Sequence, residues 1–276
     1  MVRRDTGVAG KFHALRARTQ NWLLKRRLTR QWKASGGSLV ADHGWIKLLY
    51  SNDGDAQELR YHGHCLEDYR HDMAIFRDLV HPGDVVLDVG ANLGFVSVMF
   101  AQLVQPGGHV FSFEPSPHTY AKLVKTVELN GLRDVVTPLN LGCGSAASTA
   151  WLKRVSRSSG NDSIVNAQGT DSEVIHIDTL DALSQRYFPK VDLIKIDTEG
   201  YEPEVLLGAR ELIARCRPVV YLEMGGEYLA STQRSLEILE EYGYDLDLPA
   251  GLDWTQVANG SNFVARPRRF AESVAQ

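Results

Sequence analysis

A doubly wound α/β domain with a mostly parallel sheet of about seven strands is the fold the sequence predicts, and three observations predict it. From Val85 onward short apolar runs alternate with helical segments. The runs are rich in Val, Ile and Leu, as parallel strands covered on both faces are. The alternation opens on a strand, glycine turn and helix at Val85 to Gly94. A chain of 276 residues, 43% hydrophobic, has enough apolar material for a sizeable core, which excludes a disordered tail or a disulfide-stapled miniprotein.

Taken in order, residues 1–35 form a basic arm, residues 36–81 a small N-terminal cap and helix, and residues 82–276 the α/β domain with an insertion at 146–178. In the arm, Lys11 to Lys33 reads as a basic helix whose Leu15, Trp22, Leu28 and Trp32 could lie on anionic lipid, although Arg18 and Lys25 interrupt the apolar arc. Turn signals at Gly36-Gly37, Asp42-His43-Gly44 and Asn52-Asp53-Gly54 bracket short runs such as Trp45 to Tyr50 that suggest hairpin strands. Leu66, Tyr69, Met73, Phe76 and Val80 recur at helical spacing, and His81-Pro82-Gly83 ends that helix. Val85 to Val89, Val110 to Phe113, Val135 to Leu141, Val191 to Ile196 and Val219 to Leu222 are the expected buried strands. Tyr244 to Leu248 and Asn262 to Ala265 complete the sheet after a helix near Leu236 to Tyr242. Ser116 before Pro117 is a helix cap with proline at the first helical position, and Pro203 is placed similarly. Hairpin-like runs in the insertion fall at Thr149 to Val155 and Val174 to Ile177.

Charge and cysteine usage narrow the function classes. The first 35 residues hold ten of the 30 Lys and Arg but one of the 34 Asp and Glu, which leaves 20 basic against 33 acidic residues in the body. A body of that sign repels a phosphate backbone, so nucleic acid is not expected as a substrate unless the basic arm does the binding. Three cysteines with no Cys-x-x-Cys spacing write neither a zinc site nor a disulfide framework. The most apolar stretch, near Phe95 to Ala101, is far short of the roughly 20 residues of a membrane span, so a cytoplasmic protein is expected, with peripheral membrane contact through the arm as an open alternative.

Three clusters carry chemistry. In Val85-Val86-Leu87-Asp88-Val89-Gly90-Ala91-Asn92-Leu93-Gly94 the glycines let backbone approach a ligand, and the following helix N-terminus favours electron-rich groups. A dinucleotide fingerprint would have glycine where Asn92 stands. The polar Asp88 and Asn92 suit the zwitterionic tail of S-adenosylmethionine better than a pyrophosphate, while a turn serving only strand-to-helix packing is the plain alternative. Phe111-Ser112-Phe113-Glu114 ends a second strand in a carboxylate placed to grip a ribose diol, followed by Pro115 and Ser116. Ile194-Lys195-Ile196-Asp197-Thr198-Glu199-Gly200-Tyr201-Glu202 sets three acids after the fourth strand, and Glu223 after the fifth adds another. Such acids serve as a base or hold a cation, with helix capping by Glu199 or Glu202 as the plain alternative.

Together with Val205-Leu206-Leu207-Gly208-Ala209, these motifs resemble the FkbM family of S-adenosylmethionine-dependent methyltransferases over about Pro82 to Ala265. The resemblance implies a seven-strand Rossmann-like methyltransferase fold and O-methylation of a sugar, glycolipid or natural-product hydroxyl. It implies that Gly90, Asn92 and Gly94 hold the methionine part of the cofactor, Glu114 the ribose, and the turn at Leu141 and Gly142 the adenine. Asp197 or Glu199 is the expected base, or with Glu223 a ligand to a divalent cation such as magnesium, and His176 is a further candidate base. An NAD-dependent oxidoreductase, and a peripheral membrane protein that binds a nucleotide-like ligand without turnover, are the rival readings.

Overall fold

The computed structural model describes residues 26–27, 29–31, 33–34, 39–42, 44–50, 68–153, 163–165, 169, 172–222, 229–247 and 262–268. Most of the basic arm, much of the cap and Glu223 lie outside the described residues. No described helix is long and apolar enough to cross a membrane.

An antiparallel hairpin of β1 (Leu39–Asp42) and β2 (Lys47–Tyr50) precedes helix α1 (Asp68–Leu79). The alternation then begins: β3 (Val85–Val89), α2 (Phe95–Leu103), β4 (His109–Phe113), α3 (Pro117–Leu129) and β5 (Val136–Leu139). Next come β6 (Gly142–Cys143), β7 (Ser148–Lys153), β8 (Ser163–Val165) and β9 (Ser172–Asp178), followed by α4 (Leu180–Arg186), β10 (Leu193–Ile196), α5 (Glu202–Leu207) and α6 (Arg210–Cys216). Strand β11 (Val219–Leu222), helix α7 (Leu229–Glu241), β12 (Tyr244–Leu246) and β13 (Phe263–Pro267) complete the described chain.

The main sheet has seven strands in the order β12-β13-β11-β10-β3-β4-β5, and β13 runs antiparallel to both of its neighbours. The mostly parallel, doubly wound sheet expected from the sequence is therefore present. From β3 the chain steps outward to β4 and β5, then returns to β10 on the other side of β3, so the winding reverses between β3 and β10. Open α/β sheets bind ligands at that switch point, beyond the carboxyl ends of the strands.

Consecutive strand residues feed opposite faces, which is why the strands read as unbroken apolar runs. Val86, Val110, Leu193 and Tyr221 pack with α1, α2, α3 and the hairpin, whereas Leu87, Phe113, Ile194 and Val220 pack with α4 to α7. Phe76 of α1 meets the rings of Phe100 and Tyr221 at 4.6 and 5.0 Å. Each large side chain so buried contributes about 1.5–3 kcal/mol relative to exposure. The hairpin joins the first of these cores through Ala41, Ile46, Leu48 and Tyr50. Trp45 stands edge-on to Phe95, and Asn130 at the end of α3 exchanges two hydrogen bonds with the Lys47 backbone, at 3.0 and 2.9 Å.

Three sequence expectations need correction. The strand foreseen to Leu141 stops at Leu139, because the Asn140 amide turns back to donate to the carbonyls of Glu114 and Pro115, at 2.9 and 3.0 Å. Gly142 is no longer in a turn: it enters β6 and pairs with Ile177. The insertion builds its own four-stranded sheet, ordered β6-β9-β7-β8, from Gly142 onward. Ser116 caps α3 as expected, accepting from the Thr119 amide, and Pro203 stands in the first turn of α5 as expected, although Tyr201 before it makes no side-chain cap.

Candidate active site

Val89, Phe113 and Ile196 are register partners across β4, β3 and β10. The residues that follow them, Gly90, Glu114 and Asp197, therefore leave the sheet side by side at the switch point. Backbone bonds hold this edge: Gly90 and Ala91 donate to the Phe113 carbonyl at 3.0 and 2.9 Å, and Asp197 donates to that of Val89 at 3.1 Å.

Close backbone packing demands glycine at position 90, and a left-handed φ favours it at 94. A Cβ at Gly90 (φ +78°) would lie 1.7 Å from the Asp197 carbonyl oxygen, and one at Gly94 (φ +86°) would lie 2.6 Å from Leu123 Cδ1 on α3. Asn92 between them is left-handed at φ +49°, a conformation that costs a non-glycine residue and tends to cluster at functional sites. Its amide donates to Glu114 Oε2 at 3.0 Å, while Glu114 Oε1 accepts from the Ser116 amide at 3.0 Å. The buried Glu114 carboxylate thus joins its own strand end to the glycine turn. Pro115 is half-buried beside it, and Ser116, itself buried, donates through its hydroxyl to Glu173 of β9. Leu141 is half-buried between β5 and β6, and Gly142 is buried.

Asp88 lies beneath the turn and is fully buried. Its Oδ2 accepts from Ser97 Oγ at 2.6 Å and its Oδ1 faces the Lys195 ammonium at 3.3 Å. It is therefore a support of the turn, not part of the exposed crevice wall.

The acidic turn separates its three carboxylates by role. Glu202, 5% exposed, accepts at Oε1 from the amides of Thr198 and Gly200 and from Thr198 Oγ1, each at 3.0 Å, and at Oε2 from Ser231 of α7 at 2.7 Å. Glu202 therefore has a structural role, a clamp on the turn before α5 and not the helix cap considered from the sequence. The clamp holds two successive left-handed residues, Glu199 (φ +53°) and Gly200 (φ +99°). Asp197 and Glu199 are half-exposed, and Asp197 Oδ2 is 3.0 Å from Lys195 Nζ.

His176 is not brought to this turn. Residues alternate along β9, so Glu173, Ile175 and Ile177 share the inner face while His176 points with Val174 to the exposed side. The inner-face residues Ile175 and Ile177 pack with Tyr201, whose phenol is pushed up by burial and by the charge of Glu204. Among the described residues no group of three His, Cys, Asp or Glu side chains is arranged to hold a metal ion. Lys195 is the residue that the sequence reading passed over. Its signal was a single lysine inside a strand, Leu193–Ile196, whose residues are all buried.

Residues 88–246 match the Methyltransferase FkbM domain. The chain belongs to the FkbM methyltransferase family. The match takes in the glycine turn, Glu114, the insertion and the acidic turn, and leaves out the hairpin and α1. The chain is 28% identical to the 31-O-demethyl-FK506 methyltransferase FkbM of Streptomyces tacrolimicus, over 48% of this chain and 62% of that protein. It is 29% identical to the hexuronic acid methyltransferase AglP of Haloferax volcanii, over 52% of this chain and 58% of that protein. In both, the match covers less than two thirds of the relative's length. A solved FkbM methyltransferase from Methylobacillus flagellatus KT aligns at 17% identity and a TM-score of 0.47, over 90% of this chain and 59% of that one.

Proposed function

We propose that this FkbM-family chain is an S-adenosylmethionine-dependent O-methyltransferase acting on a hydroxyl of a sugar, glycolipid or natural product. The observation that carries the reading is the in-register exit of Gly90, Glu114 and Asp197 at the switch point of the sheet. The names of two relatives, one concerning a 31-O-demethyl compound and the other hexuronic acid, support the acceptor class.

The donor set suits the cofactor. A carboxylate has about four acceptor sites, so Glu114 can hold the Asn92 and Ser116 amides and still receive a ribose diol. The turn from Gly90 to Gly94 brings backbone and the Asn92 side chain to the methionine end, and half-buried Leu141 offers an apolar side for adenine. When bound, S-adenosylmethionine supplies an already activated methyl group. The chain then has two tasks, alignment and proton handling. Alignment of donor and acceptor can contribute about 7–11 kcal/mol. Asp197 or Glu199, half-exposed at the same edge, takes the hydroxyl proton on a carboxylate oxygen, a role typically worth about 10²–10⁴-fold.

Calorimetric titration with S-adenosylmethionine, S-adenosylhomocysteine and NAD tests the reading. Binding of both adenosyl compounds in the micromolar range without NAD is expected. Binding of NAD alone would overturn it in favour of a redox enzyme. Asp197→Asn is expected to keep cofactor affinity and lose turnover, and unchanged turnover would remove Asp197 from the mechanism.

A further inference from the structure

Lys195 lies in β10 between Ile194 and Ile196, and 4% of its side chain is exposed. Its Nζ is 3.3 Å from Asp88 Oδ1, 3.0 Å from Asp197 Oδ2 and 2.9 Å from the Gly90 carbonyl oxygen. The ammonium donates to the Gly90 carbonyl and is ion-paired with the two carboxylate oxygens, so three oxygens surround it. They belong to three different places: the end of β3 beneath the turn, the start of the glycine turn and the start of the acidic turn.

The arrangement continues below. Ser112 Oγ donates to Ser97 Oγ at 2.9 Å, and Ser97 Oγ donates to Asp88 Oδ2 at 2.6 Å, all three residues being fully buried. A continuous buried polar chain therefore runs from β4 through α2 and β3 to β10, and emerges at Asp197. Among the described residues Asp88 Oδ1 accepts no hydrogen bond, so the Lys195 ammonium is what offsets the charge there. Burying a lysine is costly unless its partners compensate it, and burying Asp88 is costly without the lysine.

We propose that Lys195 is a positioning residue that couples the glycine turn to the acidic turn and so sets the separation between the methyl-donor side and the acceptor side of the crevice. The proposal rests on the methyltransferase reading for its purpose, but the coupling itself belongs to the protein without ligand. Sheet pairing aligns Val89 with Ile196. Beyond those residues the Asp197 amide still reaches the Val89 carbonyl and Gly90 packs on the Asp197 carbonyl, and the side chain of Lys195 adds a polar link from one turn to the other.

Hydrogen exchange on the full chain, with S-adenosylhomocysteine titration alongside, tests this. Lys195→Met is expected to speed exchange in residues 90–94 and 197–201 together, by about tenfold or more, as loss of a buried charge-assisted bond implies. Exchange in α4 and α6 is expected to stay unchanged. Asp197→Ala, which removes one arm, is expected to speed exchange in 197–201 alone. Affinity for S-adenosylhomocysteine should fall about tenfold or more in Lys195→Met and recover in Lys195→Arg. If Lys195→Met does not fold, Asp88→Asn combined with Lys195→Met leaves no orphaned charge and carries the same comparison. Wild-type exchange at both turns with wild-type affinity, in a variant that merely melts lower, would overturn the proposal. Failure of the wild-type protein to bind S-adenosylhomocysteine would instead overturn the cofactor reading, and exchange in the free protein would still decide the role of Lys195.

Discussion

The turn after β3 and the turn after β10 leave adjacent parallel strands at the same level, yet the first is shaped by missing atoms and the second by an added carboxylate. At Gly90 the chain folds back because no Cβ stands between it and the Asp197 carbonyl oxygen. At Glu199 and Gly200 it folds back because Glu202 gathers two amides and two hydroxyls into one buried carboxylate. A steric device tolerates no substitution but needs no partner, whereas a polar clamp depends on several partners and couples the turn to α7. The two meet at Lys195, which bonds to both.

Gly90→Ala should have the largest effect. Its Cβ meets backbone that cannot move without disturbing β10, and the left-handed φ adds its own cost, so a loss of at least about 3 kcal/mol is expected. Thermal unfolding would show it as a fall of about 6 °C or more. A melting point within about 2 °C of wild type would mean the turn can relax, and the steric account of it would fail. Glu202→Ala comes next. It leaves the part-buried amides of Thr198 and Gly200 without an acceptor, for a loss of about 1 kcal/mol or more. Because the clamp also holds α7 through Ser231, exchange protection at the start of α7 should drop with that of residues 198–200. Loss of protection in the turn alone would uncouple the two.

Much of this architecture could be read in the chain because it rests on local pattern. Val85–Val89 and Val219–Leu222 have the bounds their apolar runs suggest, since strands buried on both faces admit few polar residues. The glycine turn and the Ser116 cap were legible for the same reason: each requires a particular residue at a particular place. What escaped was long-range. Pairing of β6 with β9 joins segments far apart in sequence, and Asn140 ends β5 by reaching carbonyls that the strand order brings to it. Glu202 looked like a third acid of the site, because composition cannot tell a carboxylate that receives amides from one that faces solvent. Lys195 was invisible as a link because, although Asp197 is only two residues away, Asp88 and Gly90 belong to a strand and turn that only the sheet brings beside it.

A smaller effect separates the crevice from the opposite edge of the sheet. Burial holds the His109 imidazole, at the start of β4 and 2.8 Å from Thr137 Oγ1, below its ordinary range. The unfolded chain therefore takes up this proton first as pH falls, so stability should decline modestly from about pH 7 toward pH 5 through this residue. His109→Gln is expected to flatten that slope while leaving affinity for S-adenosylhomocysteine unchanged. A change in affinity would show that the two edges are coupled.

The most direct test of the central claim is calorimetric affinity for S-adenosylhomocysteine in Glu114→Gln against wild type, with melting recorded for both. The crevice described here predicts binding weakened about tenfold or more, as loss of charged hydrogen bonds to a diol implies, with a lower melting point as well, because the Gln NH2 replaces one of the two oxygens that accept the Asn92 and Ser116 amides. Equal affinity in the two proteins would contradict it and place the ribose, or the cofactor itself, elsewhere.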